Sequence, residues 1–287
     1  MKPATFAFAK ARSVEEATAM LAQHGEDARI IAGGQSLMAM LNMRLAKPSV
    51  LVDINGVPGL AELEHSGEDL RIGALVRYAQ ALRHPLLAIS APLLARALPH
   101  VAHAAIRNRG TLGGSVAFAD PAAEMPACLL ALGGAVEIAG LDGPRTVAAD
   151  DFFHDLYETA LAQGEMLTAL RIPGHTPDRR VGFAEFARRA GDYALVGLAA
   201  SARAVDGRLT EVRLVYFSVG ATPVRARTAE AALEGAPLDA LPLDAAVAAL
   251  EDDLDPPTDI QASRDTRLHL AGVLLRQVAG QLTEPVA

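Results

Sequence analysis

The sequence has a single cysteine, Cys128, among its 287 residues, and it has no run of about 18 apolar residues. One thiol cannot form an internal disulfide or supply the four thiolates of an iron–sulfur cluster, so any such cluster must lie on a partner. Lys10 and Arg12 stand where a signal peptide would need its apolar segment. These features predict a cytoplasmic protein that does not insert into a membrane.

The chain also has no excess of positive charge, because 34 acidic residues outnumber 26 lysines and arginines and give a net charge of −8. A field of this sign repels polyanions, which argues against binding to nucleic acid or to an anionic membrane surface. Backbone amides can still bind a single phosphate group locally. With 51% hydrophobic residues, the chain is long enough for one large domain or two modest ones.

Local patterns predict an α+β protein. A capping box that starts at Ser13, an apolar stripe and then Gly25 predict a short helix. A second helix is predicted from Pro121 to Leu132, with Asp120 as its N-cap and Gly133 after its end. Short apolar or alternating runs predict strands in the same part of the chain: Arg29–Ile31, Val50–Ile54, Leu70–Leu75, Ala135–Ala139 and Met166–Ile172.

Breaker and charged residues around Pro173–Asp178 predict a domain boundary. We expect a first domain of residues 1–176, with subdomains of about 1–57 and 58–176, and a second domain of residues 177–287. In the second domain, the turn pair Asp206 and Gly207 joins two runs that predict a hairpin, Ala194–Val205 and Leu209–Val219. Helices are predicted from Thr228, Leu243 and Ser263, the last with an apolar stripe of Leu270, Val273, Leu274, Val278 and Leu282.

Two glycine-rich turns are the main candidate for a binding site. The first consists of Ala32, Gly33, Gly34, Gln35, Ser36 and Leu37, and the second of Gly110, Thr111, Leu112, Gly113, Gly114 and Ser115. Adjacent glycines allow positive φ and leave no Cβ in the way, so successive N–H groups can converge on an anion. Neither turn has the Rossmann or P-loop pattern, and either one alone is typical of an ordinary tight turn. Two such turns in one domain suit the two phosphates of a dinucleotide.

The residues predict neither a catalytic set nor a metal site. His100 and His103 are spaced as helix neighbours, but no third ligand and no His-Glu-x-x-His pattern accompanies them. Cys128 lies in an apolar segment, as a small core residue would, and no nucleophile elbow G-x-S-x-G occurs. Asp120 suits both a helix cap and a cofactor contact. Two interpretations remain open at this point: a non-Rossmann nucleotide site, or a non-catalytic scaffold whose turns are only tight loops.

Three runs of residues resemble one family. They are Ala32–Leu37 continuing to Asn55, Arg107–Ser115 followed by Asp120-Pro121-Ala122, and Gly191–Ala194. The second run is the most specific, because it is too long to arise readily from turn chemistry alone. Over nearly its whole length the chain resembles the FAD-binding medium subunits of molybdenum hydroxylases, the group of carbon monoxide dehydrogenase and xanthine dehydrogenase.

The resemblance implies a two-part FAD-binding domain of the vanillyl-alcohol-oxidase-like (PCMH) type, followed by a smaller α+β domain. It implies that the amides of the two glycine turns hold the FAD pyrophosphate. It also implies that the Glu124 carboxylate accepts hydrogen bonds from the ribityl chain, that Tyr193 lies against the isoalloxazine ring and that Leu161 covers the flavin. The implied FAD contacts are Ala32, Gly33, Gly34, Gln35, Ser36, Leu37, Thr111, Gly113, Gly114, Ser115, Asp120, Glu124, Leu161 and Tyr193. Phe118 and Thr266 depart from the family pattern, in which His and Tyr are usual.

The function implied by the resemblance is electron transfer through non-covalent FAD. Electrons would come from [2Fe–2S] clusters on a small partner subunit, while a large partner would carry the molybdenum cofactor and the substrate site. An external acceptor would receive the electrons, and the assembly would be a heterotrimer doubled to a heterohexamer. No catalytic acid or base is expected on this chain. A self-sufficient FAD-dependent oxidoreductase acting directly on a small substrate is the alternative within flavoproteins.

Overall fold

The computed structural model describes residues 2–285, and the chain begins with a small unit of one sheet and helices. A parallel sheet of three strands, in the order β1-β3-β2, lies against helix α1. Helix α1 has the predicted capping box, because Ser13 Oγ accepts a hydrogen bond from Glu16 N at 3.1 Å and Gly25 follows the last turn. The elements are β1 (Ala7–Lys10), α1 (Val14–His24), β2 (Ala28–Ile31), α2 (Leu37–Met43) and β3 (Val50–Asp53).

The next unit is an antiparallel sheet of five strands, in the order β4-β5-β10-β6-β7, covered by short helices. The strands predicted near Leu70, Ala135 and Met166 are confirmed as the three central strands of this sheet. The elements are β4 (Leu63–Ser66), β5 (Asp69–Gly73), α3 (Tyr78–Ala81), α4 (Pro85–Ser90), α5 (Pro92–Ala97), α6 (Ala104–Arg107), α7 (Leu112–Phe118), α8 (Glu124–Ala131), β6 (Ala135–Gly140), β7 (Gly143–Ala148), β8 (Phe153–Asp155), β9 (Glu158–Thr159) and β10 (Met166–Pro173).

Helix α8 corrects one prediction. It starts at Glu124, with Ala123 as its N-cap, and not at Pro121 with Asp120 as the cap. Asp120 Oδ1 accepts a hydrogen bond from Ala122 N at 2.9 Å, so its side chain closes a turn in front of the helix. The end is as predicted, since Gly133 follows the helix at a φ of 63°.

The remaining chain forms an antiparallel sheet of four strands, in the order β11-β12-β13-β14, with helices packed on it. The predicted hairpin is confirmed, and positive φ at both Asp206 and Gly207 matches the tight turn that hairpins favour. The elements are β11 (Arg179–Ala187), β12 (Ala194–Val205), β13 (Arg208–Phe217), β14 (Val224–Arg225), α9 (Arg227–Leu233), α10 (Leu243–Ala248), α11 (Leu250–Asp253) and α12 (Arg264–Thr283).

The predicted stripe on helix α12 is partly wrong. Val273 is 38% exposed, whereas Leu274, Val278 and Leu282 are buried. The buried positions follow a period of 3.6 residues that also includes Ala271, and this period places Val273 outside the face that meets the sheet.

Helix α8 joins the two larger sheets into one core. Its residues from Met125 to Ala131 are buried, Cys128 among them as predicted, and the helix contacts both β12 and β13. Ser201 Oγ on β12 donates a hydrogen bond to Ala131 O at 2.6 Å in this buried contact. The four-stranded sheet is therefore fixed against α8, the helix that comes after α7 in the chain. No helix among residues 2–285 is long and apolar enough to cross a membrane.

Candidate functional site

The two glycine turns, which are far apart in sequence, touch each other in the structure. The first follows β2 and the second follows α6. Gly33 packs directly on the second turn: a Cβ on Gly33 would overlap the carbonyl oxygen of Arg109 and would lie 2.8 Å from Gly110 Cα. Glycine is required here by this close approach, since no other residue leaves the space. The structure thus brings together the two predicted phosphate-binding elements.

The first turn presents a row of unused backbone donors. Gly34 has a φ of 71°, and the Gln35 side chain donates to Gly33 O at 2.9 Å, which holds the turn in shape. Among residues 2–285, the N–H groups of Gly33 through Leu37 donate to no protein acceptor. Such a run of free N–H groups leading into a helix is the usual form of an anion-binding nest.

The second turn has fewer free donors than its sequence suggests. Thr111 caps helix α7, and its Oγ1 accepts from Gly114 N at 3.0 Å while its carbonyl accepts from Ser115 N at 3.1 Å. The amides of Thr111 and Gly113 have no acceptor within the described part of the chain. A Cβ on Gly113 would lie 2.5 Å from Ala74 Cα, so this glycine serves close packing against the neighbouring loop.

A polar bridge, which the sequence patterns do not reveal, links the two turns. Asn55 Nδ2 donates to Ala32 O at 2.9 Å on the first turn. Arg77 donates to both Asn55 Oδ1 and the carbonyl oxygen of Arg109, next to the second turn. Asn55 falls in a run of family resemblance, but nothing in the sequence pairs it with Arg77, because the pairing depends on tertiary structure.

An acidic and aromatic group of residues surrounds the start of α8. Tyr193 lies immediately before β12 and is 63% exposed, while its hydroxyl lies near Asp120. Partial desolvation and the negative charge of Asp120 raise the pKa of Tyr193 to about 12, so the phenol is neutral at pH 7. Phe118 pairs with Tyr157 at a ring-centroid distance of 5.0 Å.

Glu124, at the start of α8, has a carboxyl group whose pKa lies near neutral pH. Desolvation raises the pKa of its carboxyl to about 7, and the nearby Glu185 carboxylate acts in the same direction. His100 pairs with an acidic side chain, since its Nδ1 lies 3.4 Å from Glu185 Oε1. The hydrogen bond to Glu185 raises the pKa of His100. Within residues 2–285 no group of three or more His, Cys, Asp or Glu side chains could hold a metal ion.

Leu161, the predicted residue that would cover the flavin, lies in a loop outside the two glycine turns. It follows the short hairpin of β8 and β9, is partly buried against the central core, and its N–H donates to Thr159 Oγ1 at 3.3 Å. Its hydrogen bond therefore stays within its own loop.

The fold and the paired turns define a dinucleotide-binding protein outside the Rossmann class. Residues 4–175 match the family model described as the FAD binding domain in molybdopterin dehydrogenase, and residues 182–282 match the CO dehydrogenase flavoprotein C-terminal domain. The chain belongs to the FAD-binding medium subunits of the carbon monoxide dehydrogenase and xanthine dehydrogenase family. FAD is therefore its cofactor, and the predicted two-domain FAD-binding fold is confirmed.

Relatives with this architecture are subunits of oxidoreductases. The chain is 41% identical to the nicotine 6-hydroxylase medium subunit of Paenarthrobacter nicotinovorans, over 96% of this chain and 97% of that protein. It is 35% identical to the carbon monoxide dehydrogenase medium chain of Afipia carboxidovorans, over 96% of each chain. Among solved structures, quinoline 2-oxidoreductase from Pseudomonas putida 86 matches with a TM-score of 0.92 at 40% identity, covering 99% of this chain and 98% of that one.

Proposed function

We propose that this chain is the electron-transfer subunit of a molybdenum-containing hydroxylase. It would receive electrons from [2Fe–2S] clusters of a small partner subunit and pass them to an external acceptor, while a large molybdenum subunit binds the substrate. FAD suits this task because it can hold one or two electrons. The observation that carries the proposal is the contact between two glycine turns that each have backbone amides without an acceptor among residues 2–285.

The free amides indicate how the chain would hold its cofactor. The N–H groups from Gly33 to Leu37, together with those of Thr111 and Gly113, would bind the two phosphates of the pyrophosphate. Backbone donors explain how a protein with a net charge of −8 can bind this anion without a cluster of lysines. Gly114 and Ser115 would contribute by shaping the turn, since their amides already donate to Thr111.

The side chains near the start of α8 suit the ribityl chain and the isoalloxazine ring of a non-covalently bound FAD. The Glu124 carboxylate would accept hydrogen bonds from ribityl hydroxyls, and the exposed ring of Tyr193 would lie against the isoalloxazine. Asp120 would hold the Tyr193 hydroxyl, and Leu161 would cover the flavin. None of these residues needs to exchange a proton with a substrate, which agrees with a subunit that transfers electrons only.

The partner subunits follow from what this chain lacks. A single buried cysteine cannot ligate an iron–sulfur cluster, so a chain of this kind depends on partners for the other redox centres. The relatives from Paenarthrobacter nicotinovorans and Afipia carboxidovorans are named a medium subunit and a medium chain, which supports an assembly with a large and a small partner. We propose a cytoplasmic heterotrimer doubled to a heterohexamer, with the domain boundary of the present chain at residues 176 and 177.

Purification of the tagged full-length chain, co-expressed with the neighbouring genes, tests this proposal. We expect one FAD per copy of this chain, with iron and molybdenum in the chains that co-purify. Anaerobic addition of a candidate small substrate to the isolated chain should leave its flavin oxidised. A flavoprotein that purifies without iron or molybdenum, and whose flavin a small substrate reduces directly, would instead be the self-sufficient oxidoreductase.

A further inference from the structure

The polar bridge of Asn55 and Arg77 spans the boundary between the parallel and the antiparallel sheet units. Asn55 follows β3 in the first unit, and Arg77 follows β5 in the second. We propose that this bridge is a positioning element that sets the distance and orientation of the two glycine turns, and thereby the affinity for FAD. This inference rests on the proposed role of the two turns in binding the pyrophosphate.

The Asn55 side chain uses all of its hydrogen-bonding groups locally. Its Nδ2 donates to Ala32 O at 2.9 Å and to Asp53 Oδ1 at 2.6 Å, and its Oδ1 accepts from Arg77. Asp53 Oδ1 also accepts from Asn55 N at 3.0 Å, so the asparagine is held in one orientation. Because both the nitrogen and the oxygen of its amide are hydrogen-bonded, the asparagine cannot rotate and fixes the position of Arg77 relative to Ala32.

Arg77 belongs to the second turn through its backbone and reaches the first through its side chain. On either side of it, Tyr78 N donates to Gly110 O at 3.2 Å and Leu112 N donates to Val76 O at 3.0 Å. One guanidinium nitrogen donates to Arg109 O while the other donates to Asn55 Oδ1. The planar fork of arginine can make both bonds at once, which a lysine ammonium cannot reproduce.

The bridge acts on the peptide that starts the anion nest. Ala32 O and Gly33 N belong to the same planar peptide unit and point in opposite directions. A hydrogen bond that fixes the carbonyl of Ala32 therefore also fixes the direction of the Gly33 N–H, the first free donor of the first turn.

The position of Arg77 is costly for a cation. Desolvation and the nearby charge of Arg109 lower the pKa of its guanidinium, and only Asp53 opposes this effect. A long apolar side chain would avoid that cost, yet it could not link Asn55 to the Arg109 carbonyl. The arrangement is thus better explained by the geometry that it imposes on the turns than by a gain in stability.

FAD titration of the full-length apo chain tests the bridge, with FAD removed by dialysis against a chaotropic salt. Arg77→Met and Asn55→Ala should each weaken FAD binding by about 10- to 100-fold, the range for losing hydrogen bonds to a charged group. Arg77→Lys should restore only part of the affinity. Arg83→Met is the matched control: it removes the same charge from an exposed position that makes no hydrogen bond to either turn within residues 2–285.

The double variant separates a bridge from two independent contacts. If Asn55 and Arg77 act through one bridge, the double variant should bind FAD about as weakly as the weaker single variant. Effects that multiply, or single variants that bind FAD within about 3-fold of wild type, would overturn the inference. Thermal melting of the apo variants shows whether they are folded. Asn55→Ala should disturb the fold less than Arg77→Met, because Asn55 is exposed. A wild-type chain that binds no FAD would instead refute the proposed function.

Discussion

Replacement of Gly33 by alanine tests whether the close contact between the two glycine turns is needed for FAD binding. Gly33 does not have a positive φ, so alanine is not disfavoured by its backbone conformation. The new Cβ would overlap Arg109 O and would lie 2.8 Å from Gly110 Cα. Because carbon atoms prefer separations of about 3.5–4.0 Å, the turns would have to move apart by roughly 0.7 Å or more.

The magnitude follows from the cost of overpacking. Forcing one methyl group into a closely packed contact costs about 1–3 kcal/mol. If this cost appears only when the turns close on the cofactor, FAD binding should weaken by about 5- to 150-fold. If the overpacking also destabilises the apo chain, the melting temperature of the apo chain should fall.

The assay is titration of the apo chain with FAD, combined with thermal melting with and without FAD. The matched control is Gly280→Ala in helix α12, where a Cβ would meet no atom within 4 Å. That variant should bind FAD normally and gain up to about 1 kcal/mol of stability from helix propensity. Wild-type FAD affinity and wild-type melting in Gly33→Ala would refute the idea that the turns meet at this glycine.

Further predictions concern three single groups of the site. FAD binding should tighten as pH rises from 6 to 8, because Glu124, with a pKa of about 7, becomes the better acceptor when ionised, and Glu124→Gln should abolish this dependence in calorimetric titrations. In the apo chain the same raised pKa destabilises the fold by roughly 3 kcal/mol as pH rises from about 4.5 to about 7. Glu124→Gln should therefore flatten the dependence of the melting temperature on pH in this range, whereas Glu251→Gln, at an exposed position, should not. Thr111→Val should lower stability by about 0.5–2 kcal/mol, measured by denaturant unfolding, since the Gly114 amide loses its cap. Tyr193→Ala should increase the fluorescence of bound flavin and Tyr193→Phe should not, because the aromatic ring, not the hydroxyl, would contact the isoalloxazine; equal fluorescence in both variants would contradict that placement.

Much of the local structure could be predicted from the sequence because it depends on local signals. The cap at Ser13, the hairpin at Asp206 and Gly207 and the helix end at Gly133 each follow from the conformational preference of one or two residues. The start of α8 could not be placed in the same way. Asp120 and Pro121 suit a tight turn as well as a helix start, and the structure uses them for the turn.

The site itself could be predicted only in part. The paired glycines identify both turns, but the contact at Gly33 and the bridge from Asn55 to Arg77 depend on how the first two sheet units are placed. No periodicity or motif specifies such long-range contacts. Val273 shows the same limit on a smaller scale, since an apolar residue next to a buried face need not belong to it.

The most direct test of the account is the visible absorption spectrum of the purified chain, recorded before and after acid precipitation. The account predicts the bands of oxidised flavin, released into the supernatant by acid, and their loss or weakening in Gly33→Ala but not in Gly280→Ala. A colourless wild-type protein that also fails to take up added FAD would contradict it, and the two glycine turns would then be no more than tight loops.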